Sequence, residues 1–161
     1  MSVQVNYISK IKGKLSSNIA LFADEEFKIK NLNNFFSKNE ASYIEKILKN
    51  KKNNKEKIIS FNINENSSVI LISVKKDLKG SDVENLGAQF YTFVKKNKIQ
   101  NLSIYSESIK SKPGKDFIGR FVHGLKLKSY EFNIYKSKKN KYKIIINLIG
   151  KQSFLTIKNK L

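Results

Sequence analysis

The sequence predicts an α/β domain in which helices flank a central mixed sheet of about six strands. Segments with strand-like apolar patterns and segments with helical periodicity follow one another in the order β-β-α-β-β-α-β-α-β. Hairpin-like β-β steps occur beside helical crossovers, so antiparallel and parallel strand pairs should share one sheet. With 161 residues, the chain is long enough to bury one hydrophobic core.

The predicted strands are short apolar segments separated by polar connections. Val3, Val5 and Tyr7 alternate with other residues, as in a strand with one covered face. The segment NIALFAD (18–24) contains a short continuous apolar run, as in a strand covered on both faces. The remaining predicted strands are IISFNI (58–63), SVILISV (68–74), NLSIYS (101–106) and the β-branched YKIIINLIG (142–150).

Three helices are predicted from apolar periodicity and from signals at their ends. Ser37 and Glu40 have the spacing of a capping box, and Ser81 and Glu84 repeat this spacing before the second helix. Asp116 is placed in the first turn of the third helix, after the loop that holds the only proline. The first two helical segments are SKNEASYIEKILKN (37–50) and GSDVENLGAQFYTFVKKNK (80–98).

Two helical glycines and the segment after them predict how the core closes. Gly87 lowers the helix propensity of its segment, so it is expected to mark a close contact between helix and sheet. Gly124 is expected to mark the place where the last helix meets the sheet. Leu127, Tyr130 and Phe132 are predicted to form the turn that closes the core.

Composition excludes several classes of protein. The chain has no cysteine, which excludes disulfides and thiolate metal sites. Its first residues, MSVQVNYISKIKGK, lack the apolar core of a signal peptide. No apolar run approaches the roughly 18 residues of a membrane span. We therefore expect a soluble cytoplasmic protein.

The net charge of +19 suggests nucleic acid as a partner, but the composition weakens this interpretation. The 32 basic residues are 31 lysines and one arginine, accompanied by 21 isoleucines and 19 asparagines. AT-rich codons encode Lys, Ile and Asn, whereas contacts to phosphate and guanine favour the planar fork of arginine. A solvated lysine-rich surface is the preferred interpretation. A basic C-terminal face is the alternative, because no acidic residue follows Glu131.

No residue pattern predicts catalysis, a cofactor or a metal ion in this chain. His123 is the only histidine, and a histidine metal site needs partners that the chain does not offer. The acidic cluster DEE (24–26) follows a strand, where solvated loop acids are common. Nucleophile elbows and glycine-rich nucleotide loops are absent. We therefore predict that His123 is an ordinary residue at the surface or boundary of a helix.

A basic run near the end of the chain is the candidate binding site. The segment YKSKKNKYK (135–143) interleaves two tyrosines with five lysines. Lysine contacts to phosphates combined with tyrosine stacking can hold single strands of nucleic acid. The candidate polyanion contacts are Lys136, Lys138, Lys139, Lys141 and Lys143.

The same region carries a resemblance to a known family. The residues in question are Gly124, Leu127, Ser129, Tyr130, Phe132, Tyr135 and Lys136, followed by Ser137, Lys138 and Lys139. Their spacing resembles the end of the N-terminal domain of leucyl (cytosol) aminopeptidases. The segment VILISVKKDLKGSDVENLGAQF (69–90) is similar to a strand, link and helix of that family, and the two opening strands are similar as well. The resemblance covers residues 1–150.

Two departures from the family pattern affect one loop and the helix after it. Ser73, Val74 and Lys75 stand where the family usually has a glycine-bearing G-L-G. Asn85 and Leu86 stand where an arginine is frequent in the family. These changes bear on any ligand contact made by the loop, and they leave the expected fold unchanged.

The resemblance implies a macro-domain-like three-layer α/β/α sandwich without catalytic residues. In the family, two divalent metal ions, Zn or Mn, are bound in a second domain of about 300 residues. The metal ligands and the N-T-D-A-E-G-R-L segment of that domain do not occur in this sequence. Residues 1–150 are expected to form the N-terminal domain, and residues 151–161 a tail or the start of an interdomain linker.

The expected function is a structural, assembly or regulatory role in a leucyl aminopeptidase-like protein. Expected partners are an aminopeptidase catalytic domain or further copies of this chain, and no cofactor is expected on the chain itself. One alternative is a stand-alone module that binds nucleic acid or another polyanion. A second alternative, from fold analogy, is a macro-like pocket for ADP-ribose or another nucleotide.

Overall fold

In the part of the chain that the structure describes, six strands and three helices follow one another in the predicted order β-β-α-β-β-α-β-α-β. A computed structural model describes residues 2–8, 18–24, 27, 36–50, 57–64, 67–75, 79–105, 117–135 and 143–149. The strands are β1 (Ser2–Ile8), β2 (Asn18–Ala23), β3 (Ile58–Asn64), β4 (Ser67–Ser73), β5 (Asn101–Tyr105) and β6 (Lys143–Ile149). The helices are α1 (Lys38–Asn50), α2 (Gly80–Lys96) and α3 (Phe117–Tyr135). The predicted α/β class is confirmed.

All six strands belong to one mixed sheet with the order β1-β6-β5-β2-β4-β3. Four neighbouring pairs are parallel, and only the hairpin partners β3 and β4 are antiparallel. The β3–β4 register shifts between Asn62 and Asn64, close to the predicted hairpin turn. The predicted mixture of hairpin and crossover connections is therefore confirmed.

The sheet separates two apolar cores, which makes the domain three layers thick. Helices α2 and α3 pack on one face. There the ring centroid of Phe22 in β2 lies 5.1 Å from the ring centroid of Phe117 and 5.1 Å from that of Phe121. Helix α1 packs on the other face, where Ile44 contributes to a core that includes Leu21. Because successive residues of β2 lie on opposite faces and both faces are covered, residues 19–23 of the strand are apolar throughout.

Helix α1 begins at the predicted capping box. The backbone N–H of Ser37 donates to Oε1 of Glu40 at 3.0 Å, and the backbone N–H of Glu40 donates to Oγ of Ser37 at 3.2 Å. Two amide groups that have no partner within the helix are satisfied in this way. The prediction from the S-x-x-E spacing is confirmed here.

The same spacing gave a wrong prediction for helix α2. This helix begins at Gly80, after Lys79, whose backbone N–H donates to a carboxylate oxygen of Asp82 at 3.4 Å. Ser81 therefore lies inside the first turn and does not cap the helix with Glu84. Asp82 stands three residues after Lys79, which is the position from which a side chain reaches back to the residue before the helix.

The two helical glycines mark contacts between α2 and α3, so their predicted contacts with the sheet are wrong. A Cβ atom on Gly87 would overlap the carbonyl oxygen of Phe121. A Cβ atom on Gly124 would overlap the carbonyl oxygen of Glu84. Backbones of helices approach this closely only where side chains are missing. Both helices lie on the same face of the sheet, and the glycines let them pack directly on each other.

Helix α3 continues where a closing turn was predicted. It extends to Tyr135, and Leu127 and Tyr130 have 50% and 64% of their surface exposed. The Ser129 hydroxyl donates to the carbonyl oxygen of Lys126 at 2.6 Å within the helix. No glycine or proline follows Gly124 before Tyr135, so nothing in this segment stops the helix. The prediction that Leu127 and Tyr130 close the core is wrong, and Phe132 belongs to the helix.

Two further predictions concern parts of the chain beyond the described ranges. Asp116 and residues 151–161 lie outside the described residues, so the helix-start assignment and the tail or linker stay predictions. Among the helices of the described ranges, none combines the length and apolar character that crossing a membrane would require.

Candidate functional site

The connections of the sheet diverge between β2 and β5. The chain continues from β2 toward β4 on one side and from β5 toward β6 on the other. In open α/β sheets, ligands bind outside the carboxyl ends of the strands at such a switch point. We call the end of the sheet at which β2, β4, β5 and β6 finish the carboxyl edge. The opposite end, at which these four parallel strands begin, is the amino edge. The four strands begin at Asn18, Ser67, Asn101 and Lys143 and end at Ala23, Ser73, Tyr105 and Ile149.

The turn after β2 is fixed tightly at the carboxyl edge. The carbonyl oxygen of Asp24 accepts hydrogen bonds from the Phe27 N–H at 2.9 Å and from the Ser73 hydroxyl at 3.2 Å. Phe27 is buried with a φ of 60°. A left-handed backbone costs a residue with a side chain about 1–2 kcal/mol, and such strain often occurs at ligand sites. These two hydrogen bonds therefore hold Asp24 and Phe27 in place directly after β2, at the switch point between β2 and β5.

Tyr105 ends β5, the other strand at this switch point. Its side chain is half-buried, and this burial raises the pKa of the phenol above 10.0. Burial removes water from the phenolate and favours the neutral form. At neutral pH the Tyr105 hydroxyl is therefore protonated and able to donate a hydrogen bond.

The single arginine and the single histidine lie on α3, on the side that faces α2. The Arg120 side chain rests on Gly80 at the start of α2, where a Cβ atom would overlap it. Nε2 of His123 lies 3.9 Å from Oε1 of Glu84, and 45% of the histidine side chain is exposed. The described residues contain no group of three His, Asp or Glu side chains that could hold a metal ion. His123 therefore lies within α3 with its side chain partly exposed, as expected for an ordinary residue at the helix surface or its boundary with the core.

Uncharged polar groups form hydrogen bonds between the strands at the amino edge. The Asn18 side-chain amide donates to the carbonyl oxygen of Asn101 at 3.0 Å, and the Ser68 hydroxyl donates to the side-chain oxygen of Asn18. The N–H of Ile145 donates to the carbonyl oxygen of Gln100 at 2.8 Å, which ties the segment before β5 to β6. Neutral hydrogen-bonded groups therefore link the starts of four neighbouring strands.

Lys98 follows the end of α2 near this edge and has a left-handed backbone conformation. Helix α2 ends in a Schellman pattern, in which the N–H of Ile99 donates to the Val94 carbonyl at 3.0 Å and the N–H of Lys98 to the Lys95 carbonyl at 3.1 Å. Lys98 occupies the left-handed position of this pattern, with a φ of 55°. Glycine is usual there, and a side chain costs about 1–2 kcal/mol.

The helix dipole does not account for a lysine at position 98. A cation near a helix C-terminus gains about 0.3–1 kcal/mol, which is less than the cost of the left-handed backbone. Lys96, in the last turn of α2, gains the same benefit without that cost. Lys98 is therefore less stable in its position than glycine would be.

Of the predicted polyanion contacts, the structure describes one. Lys143 is exposed at the start of β6 on the amino edge. Lys136, Lys138, Lys139 and Lys141 lie outside the described residues, so their role stays a prediction. Lys98, which is also exposed, was not among the predicted contacts. The available signal was a lysine directly after Asn97, where the end of a helix calls for glycine.

The sheet order and the three layers define a macro-domain-like α/β protein, and solved structures agree. A mutant macrodomain from Oceanobacillus iheyensis matches with a TM-score of 0.64 at 13% identity, over 97% of this chain and 88% of that chain. The macrodomain of Thermus aquaticus DarG matches with a TM-score of 0.57 at 8% identity, over 91% of this chain and 98% of that chain. At these identities the likeness shows the fold, and the predicted macro-domain-like fold is confirmed.

The family follows from the sequence itself. The family model described as "Cytosol aminopeptidase family, N-terminal domain" matches residues 44–139, more than half of the chain. The chain belongs to the cytosol aminopeptidase family, of which it represents the N-terminal domain. A mutant of tomato leucine aminopeptidase matches with a TM-score of 0.68 at 11% identity over 98% of this chain. The match spans 34%, about a third, of that protein, and no curated protein matches the sequence.

Proposed function

We propose that this chain is a non-catalytic domain that acts in the assembly, regulation or partner binding of an aminopeptidase. The observation that carries the proposal is the family match, which is to the N-terminal domain of the cytosol aminopeptidases. The tomato leucine aminopeptidase supports it, because the whole of this fold corresponds to about a third of that protein. Such a domain leaves hydrolysis to a separate catalytic domain with its own metal ions.

An assay of peptide hydrolysis tests the non-catalytic part of the proposal. The purified chain is incubated with leucine p-nitroanilide and Mn²⁺, with a leucine aminopeptidase as the positive control. No turnover above the buffer rate is expected, because the described residues contain no group of three His, Asp or Glu side chains that could hold a metal ion. Turnover that follows the chain through a final size-exclusion column would contradict the proposal.

A binding measurement tests the assembly role. The chain is mixed with the aminopeptidase catalytic polypeptide of the same cell, and the mass in solution is followed by light scattering. A complex heavier than either component, or a change in kcat/KM for leucine p-nitroanilide, is expected. If the two polypeptides elute separately and the rate is unchanged at a tenfold excess of the chain, the assembly role is wrong.

Nucleotide binding at the switch point between β2 and β5 stays a prediction from fold analogy. The turn at Asp24 and Phe27 lies at this switch point, where open α/β sheets bind ligands. Isothermal calorimetry with ADP-ribose tests the prediction, since binding would release heat and a flat titration removes this candidate.

A further inference from the structure

Strand β1 lies at one side of the sheet, and no other described strand lies on its outer side. Only β6 pairs with it, in parallel orientation and in continuous register over the seven residues from Ser2 to Ile8. An edge strand presents a row of backbone N–H and C=O groups that its own sheet does not use. Strand β1 therefore has the backbone groups to pair with one further strand.

This edge strand lacks the features by which edge strands usually avoid pairing. Natural edge strands are protected by charged side chains, by proline, by bulges or by being short. Strand β1 has seven residues, contains no charged residue and no proline, and keeps its register with β6 from end to end. The opposite edge strand, β3, differs, because its register with β4 shifts between Asn62 and Asn64. Of the two edge strands, β1 is therefore better suited to pairing.

The distribution of charge indicates what kind of strand β1 would accept. The net charge of the chain is +19, yet no charged side chain occurs before Lys10. Two copies of so basic a chain repel each other wherever lysines face lysines, and this repulsion is weakest where uncharged residues meet. An uncharged strand is the partner that this edge fits best, and β1 of a second copy is such a strand.

Two amide side chains on β1 leave hydrogen-bonding groups available. Nε2 of Gln4 donates to Oδ1 of Asn6 at 3.0 Å, and Nδ2 of Asn6 donates to Oδ1 of Asn147 in β6 at 3.1 Å. An amide side chain has two N–H donors and one oxygen acceptor. The oxygen of Gln4 and the second N–H of Asn6 take part in neither bond. A partner strand with an amide opposite each residue would use both groups.

A second β1 in antiparallel orientation supplies these amides. The register that pairs all seven residues has its two-fold axis at Val5, so Gln4 of one copy lies opposite Asn6 of the other. Directly opposite residues have Cβ atoms about 4.5–5.5 Å apart, which is within reach of a hydrogen bond between amides. On the other face, Val3 lies opposite Tyr7, and pairs of β-branched and aromatic side chains stabilise sheets.

We propose that two copies of this chain pair through β1 and join their six-stranded sheets into one continuous sheet. The two strands run antiparallel, and the two-fold axis passes between the two Val5 residues. Pairing of two seven-residue strands buries less surface than the roughly 1,200 Å² of a stable interface, so the dimer should be weak and depend on protein concentration. The proposal goes beyond the proposed function, because it needs no aminopeptidase partner.

A single cysteine at the two-fold axis tests the register. The chain has no cysteine of its own, so every disulfide in a one-cysteine variant joins two copies. In Val5→Cys the two Cα atoms should be about 4.5–5.5 Å apart, which suits a disulfide. Mild oxidation at about 100 µM protein should convert most of this variant into a dimer on non-reducing gels.

Two matched cysteine variants serve as controls. Val3→Cys changes the same residue type on the same face of β1, but its two Cα atoms would be at least about 13 Å apart, too far for a disulfide. Ser60→Cys places a cysteine at an exposed position of β3, on the opposite side of the sheet. Both controls should stay monomeric under the same conditions.

Sedimentation velocity measures the dimer without a cross-link. The dimer fraction of the parent protein should rise between about 10 and 500 µM. Gln4→Lys should abolish this rise, because it brings two ammonium groups into diagonal positions roughly 7–8 Å apart across the axis. Ser60→Lys adds the same charge to β3 and should leave the rise unchanged. Circular dichroism should show that both lysine variants remain folded.

Four results would overturn the proposal. Equal cross-linking of Val3→Cys and Val5→Cys would exclude the register centred on Val5. A parent protein that stays monomeric over the whole range would exclude the dimer. A dimer that Gln4→Lys leaves intact would place the interface away from β1. A complex with the aminopeptidase catalytic polypeptide that Gln4→Lys abolishes, formed by a monomeric parent, would show that the edge takes a strand of that partner.

Discussion

The hydroxyl of Ser103 is buried at the centre of the sheet, and no described residue gives it a hydrogen bond. Its neighbours in register are Asn147 of β6 and Ile19 of β2. A buried polar group without a partner loses its bonds to water and regains nothing. Ser103 is therefore a residue at which a smaller apolar side chain should stabilise the domain.

We predict that Ser103→Ala raises the free energy of unfolding by about 1 kcal/mol. The matched control is Ser68→Ala, which removes a hydroxyl that donates to Asn18 and should lower it by about 1 kcal/mol. Urea denaturation followed by circular dichroism measures both. A loss of stability for Ser103→Ala would show that the hydroxyl has a hydrogen-bond partner in solution.

Tyr105 links stability to pH at the alkaline end. Burial raises the pKa of its phenol in the folded state above the value of 10.0 in the unfolded state, and burial acts on Tyr7 in the same direction. The folded state therefore holds its protons more tightly once the pH exceeds 10. The stabilisation is complete below pH 10 and is lost as the pH rises through the folded pKa.

We predict that Tyr105→Phe makes the stability of the domain less dependent on pH above 10. Urea midpoints are compared between pH 8 and pH 11 for the parent protein, for this variant and for the double variant with Tyr7→Phe. The loss of stability should become smaller in that order. A parent protein whose midpoint stays constant over this range would contradict the prediction.

At the scale of the element, the packing of α2 on α3 depends on two glycines. Gly87 and Gly124 each face the backbone of the other helix, whereas Gly119 has no described atom within 4 Å of a Cβ position. The three residues share helical backbone and differ only in what surrounds them. They form a matched series for a single substitution.

We predict that Gly87→Ala and Gly124→Ala each lower the free energy of unfolding by about 2–3 kcal/mol or more. The added methyl group would force the helices apart, in the manner of an overpacked core. Gly119→Ala should raise stability by up to about 1 kcal/mol, because alanine is the better helix former. Thermal unfolding of the three variants measures these changes in stability. Equal effects at all three positions would contradict the prediction.

The elements themselves could be predicted from the sequence, but their contacts could not. Apolar periodicity located every described strand and helix, and the Ser37–Glu40 capping box was correct to the residue. A glycine within a helix indicates that another element packs closely there, but it does not indicate whether that element is a sheet or a helix. The contacts of Gly87 and Gly124 were therefore assigned to the wrong partner. The exposed stripe of Leu127 and Tyr130 was mistaken for core, because large apolar residues are usually buried.

At the scale of the whole molecule, the charge of +19 opposes the compact state. We predict that raising NaCl from about 20 to 500 mM increases the Tm by several degrees, because the Debye length shrinks from more than 20 Å to about 4 Å. Differential scanning calorimetry at constant pH measures the shift. A Tm that falls with added salt would show that favourable ion pairs outweigh the repulsion.

The strand order could not be predicted from the sequence, for a physical reason. Each segment shows its own period, but the pairing of β2 with both β4 and β5 depends on contacts between distant parts of the chain. Asn101 and Ile145, for example, are far apart in sequence and become partners only through the pairing of β5 with β6.

The pairing of β1 with β6 has a consequence for synthesis on the ribosome. The side-chain hydrogen bond between Asn6 and Asn147 joins residues 141 positions apart, and β6 is the only described strand beside β1. During synthesis, β1 leaves the exit tunnel before the other described strands and must wait for β6, the last of them. Until then, the nascent chain carries an unpaired strand with exposed apolar side chains that chaperones have reason to bind, and slow folding is expected from such distant closure.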